Sequence, residues 1–170
     1  MLDFAIFSIL PLCLAFAALT DLISMKISNR VSAILLVSFF AISPFTSLSW
    51  GDIGLSFLAA MLVFSICFSL FALNVMGGGD AKLLTACSVW FGLNLSLAVF
   101  VLSVAVFGGL LTIAILMLRS RSQEIMASGL PIPDSLLVAK KVPYGIAIAI
   151  GGLVTYPEAP IVQLAMQHMM

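Results

Sequence analysis

The chain reads as an all-α integral membrane protein: a six-helix transmembrane bundle, with residues 1–170 forming a single domain and both termini non-cytoplasmic. Three observations predict it. Of the 170 residues, 63% are hydrophobic and the mean hydropathy is +1.28, far above a soluble domain. The apolar residues gather into runs that suit membrane helices, which need about 20 residues to cross the hydrocarbon core. The basic residues, finally, fall only on alternate connectors.

Taken in order, the first span is Leu2 to Thr20. It opens with Asp3 instead of a basic region and has no small-residue cleavage site, so a permanent helix is expected, not a secretory signal. Val31 to Leu48 makes the second span, with Pro44 near its end, and Ile53 to Val75 the third. The uncharged stretch from Leu83 to Leu118 is about twice the length one helix needs, and a break is expected at Gly92-Leu93-Asn94. The resulting fourth span, Ala81 to Leu93, is short enough to require bilayer thinning or burial in protein. A sixth runs from Val142 to about Tyr156, followed by an interruption at Pro157 and Pro160 and a semi-apolar tail.

Lys26 and Arg30 follow span one, Lys82 follows span three, and Arg119, Arg121, Lys140 and Lys141 follow span five. The opposite connectors and the termini carry only Asp3, Asp52 and Glu158. The positive-inside rule then puts Asp21 and Asp80 at the cytoplasmic face. Seven basic and seven acidic residues cancel, so no basic surface exists to bind nucleic acid. Cys13, Cys67 and Cys87 lie in apolar runs with no C-x-x-C pair and no nearby histidine, so no metal site, disulfide or cofactor is expected. His168 falls in the tail, remote from both acids.

In a chain with only 8% charged residues, an acid at a membrane boundary usually has a task. Asp21 closes the first apolar run, and Asp80 closes Gly77-Gly78-Gly79-Asp80. Three successive glycines suit positive φ or close approach of another chain, so an extended substrate could lie along Gly77, Gly78 and Gly79. The plainer alternative is that the glycines end span three, Asp80 caps the next helix and Asp21 marks a boundary. If the two carboxylates converge, they share one proton, as in aspartic proteases. One then takes a proton from water while the other hydrogen-bonds the peptide carbonyl.

Lys82 could meet a substrate carbonyl or simply set topology, and Asn29 could bond near Asp21 or serve as a turn residue. The loop from Arg119 to Lys141, with Glu124, Pro131, Pro133 and Asp134, reads as a solvated connector or a cytoplasmic flap. Two functions of other classes compete with proteolysis. One is an ion- or proton-coupled transporter using the same acids, although such acids usually sit at the bilayer midplane beside an internal repeat. The other is a scaffold whose glycines permit tight helix packing.

Asp21-Leu22-Ile23-Ser24-Met25-Lys26-Ile27-Ser28-Asn29 resembles the D-x5-I-P-N segment of type IV prepilin peptidases, the GxGD aspartic membrane proteases. Gly77-Gly78-Gly79-Asp80-Ala81-Lys82-Leu83 resembles their G-x-G-D-x-K-L segment, and Lys140-Lys141-Val142-Pro143-Tyr144-Gly145 their basic, proline-containing approach to the last helix. Ser28 departs from the family's usual proline. The resemblance implies that Asp21 and Asp80 are catalytic. It also implies a bacterial inner-membrane endopeptidase that removes basic leaders from prepilins or pseudopilins after a glycine, at the cytoplasmic face. Larger members carry an inserted domain with C-x-x-C pairs that accompanies methylation of the new N-terminus. The connector at residues 21–30 is far below the roughly 50 residues of a small domain. Proteolysis without methyl transfer is therefore expected, as in the short branch serving Flp-type tight-adherence pili.

Overall fold

The computed structural model describes residues 2–121 and 142–169, and every regular element in them is helical. The first helix, α1, spans Leu2–Ser24 and so runs one turn beyond the expected Thr20. No glycine or proline stops it there. It closes at Met25, whose φ is 53° and whose N–H bonds the Asp21 carbonyl at 2.9 Å. Asp21 consequently rides inside the last turn of a helix, and the connector shrinks to residues 25–28. Ser28 then caps α2, Asn29–Ile42, by accepting the Arg30 N–H at 3.3 Å.

Helix α2 is shorter than the Val31 to Leu48 span expected for it. Pro44, which lacks an N–H, sits in a single 3₁₀ turn at Ser43–Phe45 and prevents the α-helix from continuing. Ser49 and Asp52 form a capping box that starts α3, Trp50–Ala72. That helix ends on Asn74, φ 58°, with Asn74 N–H to Phe71 O at 2.9 Å and Val75 N–H to Leu70 O at 2.9 Å. This is a Schellman motif with asparagine in the left-handed position. The glycines therefore do not end the third helix; they begin the fourth, α4, Gly78–Phe91, with Gly77 as its N-cap.

The expected break falls where predicted. Gly92, φ 67°, terminates α4, and Asn94 caps α5, Leu95–Ser120, by accepting the Ser96 N–H at 2.7 Å. Beyond the undescribed 122–141 segment come α6, Tyr144–Thr155, a 3₁₀ turn at Tyr156–Glu158, and α7, Pro160–Met169. The 119–141 loop, apart from its first residues, lies outside the described residues together with Lys140 and Lys141.

Three helices, α1, α3 and α5, are long and apolar enough to cross a membrane, and α6 with α7, bent by 48° at their junction, would make a fourth. Six spans were expected. Helices α2 and α4 have 14 residues each, about 21 Å at 1.5 Å per residue against a core of about 30 Å. Helix α4 tolerates its length by burial: from Leu83 to Phe91 only Thr85 is not fully enclosed. It packs among α2, α3 and α6. Trp90 fixes it to α2 by donating its indole N–H to the Leu35 carbonyl at 3.1 Å, with its ring edge-on to Phe39. Phe91 stacks on Phe100 of α5 at 4.4 Å between centroids.

Helix α6 slots between α1 and α5 on its small residues. A Cβ at Gly152 would meet Leu14 at 2.7 Å, and one at Gly151 would meet the Val104 backbone nitrogen at 2.9 Å. Close backbone approach of this kind drives helix association in lipid. Gly151→Ala should destabilise the protein by about 1–3 kcal/mol through overpacking against rigid backbone, read as a lowered thermal midpoint in detergent. Gly109→Ala meets nothing within 4 Å and should leave the midpoint unchanged or raised.

Candidate active site

The bundle has two chemically distinct ends. At one, Ser47 and His168 share a hydrogen bond of 3.1 Å beside Asp3, so His168 is remote from both key acids, as expected. At the other lie the C-terminus of α1 and the N-termini of α2, α4 and α6. Asp21, only 5% exposed, is there, and its Oδ2 accepts the Gly145 N–H at 2.7 Å. Gly145 is the second residue of α6, whose N-cap, Pro143, offers no side-chain acceptor. The first N–H groups of a helix lack partners within it and carry partial positive charge, so a carboxylate is the acceptor they favour. The bond is charge-assisted and short.

Asp80 occupies the first turn of α4, half-buried, and leans back over its own N-cap: a Cβ at Gly77 would lie 2.6 Å from Asp80 Oδ2. Gly77, not Asp80, is the N-cap of α4, and Asp80 is the third residue of the helix. Each acid sits at a helix N-terminus. Asp80 also lines a cleft of about 460 Å³ with Phe71, Met76, Gly77, Val142 and Tyr144. Its volume and mainly apolar walls suit a ligand of side-chain to peptide size.

Two contacts bring the acids to one place. Tyr144 lines the Asp80 cleft, and the very next residue holds Asp21. Ile27 packs between them: a Cβ at Gly79 would come 3.2 Å from Ile27 Cβ, and one at Gly145 would come 3.0 Å from Ile27 Cδ1. The three glycines have ordinary φ; among the described residues only Gly92 is a glycine with positive φ. Their use is close approach alone, Gly77 to Asp80, Gly78 to the Phe71 ring at 3.2 Å, and Gly79 to Ile27. Lys82 donates to Asn29 Oδ1 at 3.0 Å, tying the second turn of α4 to the start of α2. Both side chains therefore brace the site's helices.

A family profile described as the type IV leader peptidase family matches residues 8–113. The chain belongs to this family. The match covers more than half the chain and includes both Asp21 and Asp80. No curated protein matches the chain significantly. No solved structure does either. Membership makes this multi-pass membrane protein a peptidase. The matched region ends before Tyr144 and Gly145, which in the sequence are visible only as part of a basic, proline-containing segment. The usable signal was Pro143 opening a helix without a side-chain cap, which leaves N–H donors in search of an acceptor.

Asn74 shapes the floor of the Asp80 cleft through its left-handed backbone. Asn74→Ala should cost about 1–2 kcal/mol, seen as lower resistance to thermal unfolding in detergent, whereas Asn74→Gly should be neutral or slightly stabilising.

Proposed function

We propose that the protein is a prepilin peptidase in which Asp21 and Asp80 activate water to cut the leader of a type IV prepilin or pseudopilin after a glycine. The observation that carries this reading is the shared end of the two acids, each at a helix N-terminus, with Tyr144 and Gly145 contacting both neighbourhoods. With Oδ2 of Asp21 committed to the Gly145 N–H, its Oδ1 is the oxygen suited to water. One carboxylate takes a proton from that water, the hydroxide oxygen bonds to the scissile carbonyl carbon, and the other carboxyl donates its proton to the carbonyl oxygen. Collapse of the tetrahedral intermediate breaks the C–N bond, and the departing amine takes a proton from the acid pair. The peptide to be cut would lie extended in the cleft that Gly77, Gly78, Asp80 and Tyr144 line, with Gly79, Lys82 and Asn29 forming its surroundings.

The proposed setting is a bacterial inner membrane, with the acids at the cytoplasmic face and six membrane-embedded helices formed by α1 to α5 and the α6–α7 pair. Lys26, Arg30, Lys82, Arg119 and Arg121 all fall at the acids' end of the described helices, in accord with the positive-inside rule. The four-residue connector between α1 and α2 holds no methylation-associated domain, in keeping with the short Flp-pilus branch. Purified protein given a prepilin and S-adenosylmethionine should release the leader yet leave the new N-terminus unmethylated; methyl incorporation would contradict that assignment.

Asp21→Asn and Asp80→Asn should each lower cleavage of a peptide with a basic leader, a glycine and an apolar helix by about 10²–10⁴-fold. Unimpaired turnover by either variant rules out the two-aspartate mechanism. Gly145→Ala should cut kcat by about 100-fold with little change in KM, because its Cβ would lie 2.8 Å from Asp21 Oδ2 and displace that carboxylate.

A further inference from the structure

A second cavity, of about 750 Å³, lies on the other side of the 25–28 connector, between α1 and α2. Its walls are apolar: Leu12 and Phe16 come from the middle of α1, and Val31 and Ile34 from the first half of α2. Its upper end is different. Thr20, Ser24 and Ser28 bring hydroxyls there, and Lys26 and Arg30, both exposed, bring two cations. No acidic residue lines the cavity, and neither cationic side chain has an acid partner among the described residues. The N-terminus of α2 opens at the same point and adds its partial positive charge.

Ser28 uses its oxygen to accept the Arg30 N–H, which leaves its hydroxyl proton for an acceptor. An apolar trough between two helices that ends in two cations and a hydroxyl donor has the polarity of an anionic lipid, with the acyl chain below and the phosphate above. A cationic peptide would be repelled by the same rim, and a zwitterionic lipid would bring its own cation against Lys26 and Arg30. We propose that this groove binds one anionic phospholipid, its phosphate held by Lys26, Arg30 and Ser28 and an acyl chain laid between α1 and α2. Basic pockets between membrane helices recognise such headgroups by the same electrostatics. The site is distinct from the acid pair, being separated from it by Ile27, which contributes to the groove while packing on Gly79 and Gly145.

The test is native mass spectrometry of the full chain in detergent, titrated with phosphatidylglycerol or phosphatidylcholine. Phosphatidylglycerol should be retained one per chain, preferentially over phosphatidylcholine. Lys26→Gln with Arg30→Gln should weaken that retention roughly ten- to thirtyfold, whereas Arg119→Gln with Arg121→Gln, which removes equal charge from α5, should not. Equal retention of the two lipids, or equal loss in both double variants, overturns the proposal. A photoactivatable phosphatidylglycerol on the unmodified protein supplies an independent reading: labelling within residues 12–34 is expected, and labelling confined to other helices overturns it. Neither readout depends on peptidase activity, so failure here and failure of the acid-pair mechanism are separable.

Discussion

A buried carboxylate at the end of an apolar helix is the constraint around which this bundle is built. Asp21 is almost fully enclosed, and an unpaired charge in that position would cost several kcal/mol. The Gly145 N–H at 2.7 Å answers it, in an interaction of the class that contributes about 1.5–3 kcal/mol. The same bond satisfies a donor that α6 cannot satisfy internally and that Pro143 cannot cap. Helix α6 must therefore begin within hydrogen-bonding reach of α1.

Much of the remaining packing serves that reach. Gly145 has no room for a side chain because Asp21 and Ile27 occupy the space, and further along Gly151 and Gly152 let α6 settle against Val104 and Leu14. Tyr144 is held from α5, its ring over Gly108 and its hydroxyl 3.2 Å from that of Thr112. One short helix thus positions a wall of the Asp80 cleft with its first residue and the Asp21 carboxylate with its second. Asp80 is placed by a separate device, the turn from Asn74 to Gly77 that starts α4. Both acids lie at one end of the molecule because the N-termini of α4 and α6 are packed there.

The helical class, the break at Gly92 and the isolation of Asp21 and Asp80 as charges in an apolar chain were legible because each rests on local chemistry. Apolar runs, a glycine able to adopt φ 67° and isolated charges in a hydrophobic sequence are visible without a fold. Span limits were less legible. Nothing in residues 21–24 distinguishes a helix that ends from one that continues, and nothing local shows that Asn74, not the glycine run, takes the left-handed position that ends α3. The pairing of Lys82 with Asn29 joins positions 53 apart and leaves no local trace.

The sequence by itself determined that the chain is membrane-embedded and helical, and it marked the two acids as exceptional, since burial of charge is costly wherever it occurs. Tertiary structure decided what surrounds them. That the second residue of α6 holds Asp21, that Ile27 separates the acids from a basic-rimmed groove, and that the glycines serve proximity instead of unusual φ all depend on which helices touch. Such contacts between distant residues follow from global packing and cannot be read from any local window of the chain.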